Sequence, residues 1–254
     1  MSTPTLRAWL HEGPFTLAMS SGFFGFYVHA GALTALVDAG FSPEAATGSS
    51  AGALVTGLYA GGVSLDAMRE RLATLRRENF WDPAPGAGLL RGRRFRAMLD
   101  ALLPVTEIER ARVAYAPSVF DLRARQTTVL REGSLAGAIH ASCALPVLFH
   151  PVALGGRLYS DGGIADRPGI AGTKEGARVL YHHLASRSPW RRVGSMSMRV
   201  PRRAGLVGVS IEALPRVNPF ALHRGMVAFA MAERAMRRAL DERVREGEVK
   251  VEAG

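Results

Sequence analysis

The segment Gly48-Ser49-Ser50-Ala51-Gly52 constrains this chain more than any other stretch. Glycines two before and two after a serine form the frame of a sharp strand-to-helix turn, where a larger side chain at either flank would meet neighbouring backbone. The run from Ala51 to Ala60 supplies the helix that such a turn requires. A serine placed there stands at a helix N-terminus, where open N–H groups and the positive end of the dipole favour an anion. The chain holds 28 glycines, so a plain Gly/Ser loop is the alternative, and the surrounding pattern must decide.

That pattern is strand, loop, helix, strand, elbow, helix. Phe15 to Met19 is a short apolar run ending at Ser20-Ser21-Gly22, which suits a buried strand feeding a loop. Val28, Leu33 and Val37 recur near helical spacing between Tyr27 and Asp38, and Gly40 is placed to end that helix. Phe41 to Thr47 then leads into the elbow. This order predicts an α/β fold, a mainly parallel sheet between helices. Helices are expected over 65–77, 94–103, 135–143 and 220–244, and strands over 113–120, 126–131 and 158–160. In the last helix Val227, Met231, Met236 and Leu240 are expected to form the packed stripe. Residues 171–205 are rich in Gly, Ser, Pro and Arg and read as exposed loop, making 170–254 a loop-rich segment closed by a helix.

Length and composition narrow the setting. A chain of 254 residues with 48% hydrophobic content fits one domain, 1–254. Its single cysteine, Cys143, excludes an internal disulfide framework, and no Cys/His spacing marks a structural zinc site, which reads as cytoplasmic. Residues 13–37 carry no Asp, Glu, Lys or Arg, but Ser20-Ser21-Gly22 and Gly25 divide them into two short apolar pieces, so they read as buried soluble structure. The net charge of +10 comes mainly from arginine, clustered at Arg91, Arg93, Arg94 and Arg96, at Arg187, Arg191 and Arg192, and at Arg199, Arg202 and Arg203. Such a surface attracts polyanions, anionic lipid head groups among them. No zinc-finger spacing or aromatic RNA-binding motif accompanies the charge, so nucleic acid is not an expected partner.

A serine hydroxyl needs a base and oxyanion donors before it attacks a carbonyl. The loop Ser20-Ser21-Gly22-Phe23-Phe24-Gly25 lies between a strand and a helix and offers backbone N–H groups. A phosphate loop fits less well, because Phe23 and Phe24 fill positions that need bare backbone and no Walker lysine follows. Asp161, in Ser160-Asp161-Gly162-Gly163, is the candidate base, with a self-capping turn aspartate as the alternative. A triad is also open, since His182, His183 and His223 follow Ser50 and Asp161 in the order of α/β-hydrolases. Cys143 reads as a small buried apolar residue.

Taken together, Gly22-Phe23-Phe24-Gly25, Gly48-Ser49-Ser50-Ala51-Gly52-Ala53-Leu54, Ala141-Ser142-Cys143-Ala144-Leu145-Pro146 and Asp161-Gly162-Gly163 closely resemble the bacterial patatin-like phospholipases over about residues 14–169. The resemblance implies a three-layer α/β/α sandwich and a Ser50–Asp161 dyad with no intervening histidine. It implies an elbow flanked by Gly48 and Gly52, the base turn at Gly162 and Gly163, and oxyanion amides from Gly22, Phe23, Phe24 and Gly25. The implied substrate is a lipid ester, and no metal or cofactor is implied. The family's first loop commonly carries three glycines and a basic residue, so Phe23 and Phe24 depart from it, and they are alternatively an acyl-pocket lining. An acyltransferase using the same acyl-enzyme, or a basic lipid-binding protein with weakened turnover, are the other readings.

Overall fold

In a computed structural model that describes residues 3–184 and 199–254, six parallel strands form a central sheet. The N-terminal half runs α1 (Leu6–His11), β1 (Thr16–Met19), α2 (Phe26–Asp38), β2 (Ala45–Gly48), α3 (Ala51–Ala60), α4 (Leu65–Ala73), β3 (Gly88–Leu90) and α5 (Arg93–Leu102). The middle holds β4 (Ala114–Tyr115), β5 (Ser118–Asp121), β6 (Gln126–Val129), α6 (Leu135–Ser142), β7 (Val147–Phe149), β8 (Val152–Leu154) and β9 (Arg157–Asp161). The C-terminal part adds β10 (Val179–Leu184), β11 (Leu206–Glu212), α7 (Gly225–Ala239) and β12 (Glu248–Glu252). The main sheet is ordered β12-β11-β10-β1-β2-β4, and helices complete a three-layer α/β/α sandwich. A four-stranded antiparallel sheet, β6-β5-β9-β8, stands beside it.

The uncharged stretch 13–37 is interior along its strand and helix, where every residue of β1 is buried and α2 is buried from Tyr27 to Leu36, while the loop between them reaches the surface at Phe23. No helix among the described residues is long and apolar enough to cross a membrane. Small side chains let α2 and α7 approach closely. Ala30, Ala35, Ala228, Ala232, Ala235 and Ala239 are fully buried, and a Cβ on Gly31 would lie 2.2 Å from the Phe229 carbonyl oxygen. This corrects the expected stripe on the last helix. Met236 and the following Leu240 are buried as expected, but Val227 is exposed and Met231 half-buried, and the rest of the packed face is Ala228, Phe229, Ala232, Ala235 and Ala239. Backbone proximity, and not side-chain bulk, sets this contact, so alanines occupy it.

The segment after 170 is the larger correction. Instead of a loop-rich tail it contributes β10, β11 and β12, half of the central sheet, and β10 is buried throughout. A central parallel strand is covered on both faces and so lacks the period-two alternation that marks a half-exposed strand. The steps around Ser186 and Ser188, and the cluster Arg187, Arg191 and Arg192, lie outside the described residues. Between 113 and 120 the chain forms two strands in different sheets, β4 and β5, divided at Pro117, which cannot donate to a ladder.

Candidate active site

β1 and β2 are hydrogen-bonded neighbours, with Met19 opposite Gly48, so both strands release their loops at the same end of the sheet. From β2 the chain enters the elbow. Ser50 takes φ 53° and ψ −120°, a conformation that costs an L-residue on the order of 1–3 kcal/mol and persists only where packing enforces it. The enforcement is visible at the flanks. A Cβ on Gly48 would lie 2.6 Å from Gly52 C, and one on Gly52 would lie 2.0 Å from the Met19 carbonyl oxygen, so only glycine fits either place. Ser50 occupies the N-cap position of α3, yet its hydroxyl does not cap the helix.

That hydroxyl turns to Asp161. Ser50 Oγ donates to Asp161 Oδ2 at 2.6 Å, and Gly163 N donates to the other carboxylate oxygen at 2.8 Å. Asp161 ends β9, is 1% exposed, and has its own amide held by the Ala144 carbonyl at 2.9 Å. The turn behind it also needs glycine, since a Cβ on Gly162 would lie 2.1 Å from the Ser118 carbonyl oxygen. Ser50 is half-buried, which leaves the hydroxyl open to an incoming group. Burial, with the Asp161 carboxylate adding to it, pushes the Cys143 thiol well above its ordinary range, and its sulfur donates to the Ser50 carbonyl at 3.2 Å. Cys143 is thereby kept neutral and unreactive.

The structure does not place His182 or His183 in a loop: both lie on β10 and are buried, while His223 is exposed on a short helical turn. The Ser50–Asp161 contact is direct, so no histidine is needed to bridge them. His182 pairs instead with His29, Nδ1 to Nδ1 at 2.8 Å, and His29 Nε2 lies 2.8 Å from the Ser20 carbonyl oxygen. A carbonyl only accepts, so Nε2 carries the His29 proton, and Nδ1 of His29 must then accept from Nδ1–H of His182. His182 Nε2 is left as a buried lone pair with no partner among the described residues.

This arrangement holds the start of the first loop. The Ser20 amide donates to the His182 carbonyl, the Ser21 amide to the Arg167 carbonyl, and Ser20 Oγ accepts from the Leu184 amide. Of the four amides expected to face an oxyanion, Gly25 is otherwise engaged, donating to the Gly22 carbonyl at 3.0 Å. This turn closes the loop into α2 and removes Gly25 from the set. The amides of Gly22, Phe23 and Phe24 make no hydrogen bond among the described residues. Phe24 sits at φ 55°, and Leu184 fills the space beside Gly22 and Gly25.

Two polar groups about the elbow are not recognisable from residue type. Ser142, within the Ala141–Pro146 run, accepts from the Ser50 amide at 2.9 Å and donates to the Ser118 carbonyl at 2.7 Å. Asp166 gathers Ser118 Oγ at 2.5 Å and the amides of Gly169 and Ala171, fixing the chain beyond the Asp161 turn. Only the spacing from Asp161 could have drawn attention to Asp166. Among the described residues no group of three His, Cys, Asp or Glu side chains converges as a metal-ligand set.

The buried histidines carry a prediction. Burial holds His29 down at about 3, His140 at about 4 and His182 well below its ordinary 6.5. Above pH 6.5 both folded and unfolded chains keep these rings neutral. Below it the unfolded chain takes up protons that the folded chain refuses, so stability falls as pH drops from 6.5 toward 4. The slope is about 1.4 kcal/mol per pH unit for each histidine. The urea midpoint should therefore fall steeply over that window, and His140→Asn should flatten the fall; a midpoint constant from neutral pH to about pH 5 would refute the linkage.

A parallel sheet that presents a strained serine at a strand-to-helix elbow, hydrogen-bonded to a buried aspartate, defines an α/β protein with a serine-elbow site. This chain belongs to the patatin-like phospholipase family, whose family model matches residues 17–172. It is 36% identical over 155 residues to uncharacterised NTE family proteins of Mycobacterium tuberculosis and Mycobacterium bovis, an alignment covering 59% of this chain and 42% of each relative. The chain thus matches less than half the length of those curated relatives. Among solved structures it is similar to VipD from Legionella pneumophila, with a TM-score of 0.57 and 15% identity over 80% of this chain and 51% of that one. The type III effector protein ExoU aligns with a TM-score of 0.50 and 13% identity, over 94% and 53%. At these identities the likeness is one of fold.

Proposed function

We propose that this chain is a serine lipid acyl hydrolase that cleaves carboxylic ester bonds of phospholipids or related lipids, working in the cytoplasm at a membrane surface. The observation that carries the reading is the 2.6 Å hydrogen bond from Ser50 Oγ to a buried carboxylate, made by a serine held in a strained elbow. In the first half-reaction Ser50 Oγ attacks the ester carbonyl while its proton passes to Asp161 Oδ2. The tetrahedral oxyanion is met by the unengaged amides of the Gly22–Phe24 loop and by the N-terminus of α3. The intermediate collapses, the alkoxide of the lysolipid or alcohol leaves with the proton from Asp161, and the acyl group stays on Ser50. Water then attacks the acyl-enzyme, giving its proton to Asp161, and a fatty acid departs as Ser50 recovers its hydrogen.

Neither step calls for a cofactor. Membership of the patatin-like phospholipase family supports a lipid ester as substrate. The test is labelling by a fluorophosphonate with the modified residue located by mass spectrometry, beside turnover of p-nitrophenyl esters of short and long acyl chains. Modification at Ser50 with ester turnover is the expected result. A folded chain that neither reacts with the probe nor turns over any ester would overturn the reading.

A further inference from the structure

The loop that offers the oxyanion amides also begins a continuous run of aromatic rings. Phe23 is 53% exposed and meets Phe24 edge to face at a centroid distance of 4.9 Å. Phe24 lies 5.8 Å from Phe80, Phe80 is 6.5 Å from Trp81, and Trp81 is 6.2 Å from Phe220. Phe220 is 73% exposed, so the run ends in solvent at both extremities. The Arg77 guanidinium stands 5.5 Å from both the Trp81 and the Phe220 ring. Trp81 also lines a cleft of about 590 Å³ together with Arg91, Arg93 and Arg94. Asp82 is in the same cleft, but its carboxylate accepts from the amides of Gly92 and Arg94. Arg77, Arg91, Arg93 and Arg94 form no ion pair among the described residues.

Phe80, in the middle of the run, is buried; we infer that the exposed ends of the run and the arginine cleft form the surface that docks on anionic phospholipid bilayers, with Phe220 and the accessible part of Trp81 entering the interface and Arg77, Arg91, Arg93 and Arg94 taking the head-group phosphates. Phe220 is exposed and Trp81 half-buried beside it, and rings of this size gain most at the boundary between head groups and acyl chains. Guanidinium groups without internal carboxylate partners are the donors best suited to phosphate. Because Phe23 belongs both to the run and to the first loop, a bilayer bound here lies against the mouth of the Ser50 site. The inference rests on the lipid hydrolase reading for its purpose, but not for its geometry.

The experiment is co-sedimentation of the full chain with vesicles of phosphatidylcholine alone and of equal parts phosphatidylcholine and phosphatidylglycerol, at low and high salt. Binding is expected only to the anionic vesicles and is expected to weaken with salt. Phe220→Ala should lower the partition coefficient roughly 10-fold, and the double variant Arg91→Gln/Arg93→Gln roughly 30-fold. These side chains are exposed, so folding should be retained, as circular dichroism would check. Turnover of a soluble short-chain ester should be unchanged in both variants. Wild-type partitioning retained by the variants, or no binding of the wild-type chain to anionic vesicles, would each overturn the surface. Vesicle binding that the variants lose, in a chain whose Ser50 does not react with fluorophosphonate, would leave the surface standing and remove the hydrolase. Reactive Ser50 with variant-insensitive binding would do the reverse.

Discussion

Asp161→Asn is expected to lower kcat/KM for ester hydrolysis on the order of 10³–10⁴-fold while the chain stays folded. Asparagine keeps nearly the shape of the carboxylate and can still accept the Gly163 amide, which lies 2.8 Å from Asp161 Oδ1. What it cannot do is take the proton that Ser50 must release. Ser50→Ala removes the attacking atom and should bring turnover to background, a loss at least as large. Because the two groups act as a unit, the double variant should be no slower than Ser50→Ala alone. The measurement is turnover of p-nitrophenyl esters by each folded variant. Residual activity within tenfold of wild type in Asp161→Asn would show that another group accepts the proton and would remove Asp161 from the mechanism.

The largest expected loss of stability comes from one methyl group at the elbow. Gly52→Ala places a Cβ 2.0 Å from the Met19 carbonyl oxygen and 2.4 Å from its carbon, both backbone atoms of β1. No side-chain rotation relieves that contact, so either α3 or the buried strand must move. We expect a destabilisation of about 3 kcal/mol or more and loss of Ser50 reactivity even where folded protein is recovered. Gly155→Ala is the comparison. Unlike Gly52 it has a positive φ, at 54°, but nothing lies within 4 Å of the added Cβ, so it should cost only about 1 kcal/mol. Urea denaturation of the two variants measures the difference. Equal midpoints would mean that the elbow tolerates a side chain and that the glycine frame is not what shapes it.

The parts of the site legible in the sequence are those made by local backbone chemistry. Gly48, Ser50 and Gly52 announce their turn because the clash that requires glycine arises within a few residues of the serine, or against the strand that the same pattern predicts. The Asp161 turn is legible for a similar reason, since the Gly163 amide two residues on donates to the Asp161 carboxylate, although the contact that requires glycine at 162, against the Ser118 carbonyl, is tertiary. The parallel sheet around β1 and β2 follows from the strand-helix-strand order and short connections.

Other features depend on contacts that no local pattern encodes. β10 and β11 escaped recognition because strands buried on both faces show no alternation, and β10 carries Tyr181, His182 and His183 where a core strand is expected to be aliphatic. The withdrawal of Gly25 from the oxyanion set depends on a loop closing on itself through the Gly22 carbonyl. Ser142 became the partner of the Ser50 amide only when α6 packed beside the elbow. His29 and His182 are 153 residues apart, and their pairing exists because β10 joins β1 in the sheet. The elbow, the Asp161 turn and the parallel α/β plan can be read along the chain, since steric exclusion and chain order act over short distances. Which amides, hydroxyls and imidazoles support that elbow depends on the assembled fold, because their hydrogen bonds join segments that meet through sheet order and helix packing.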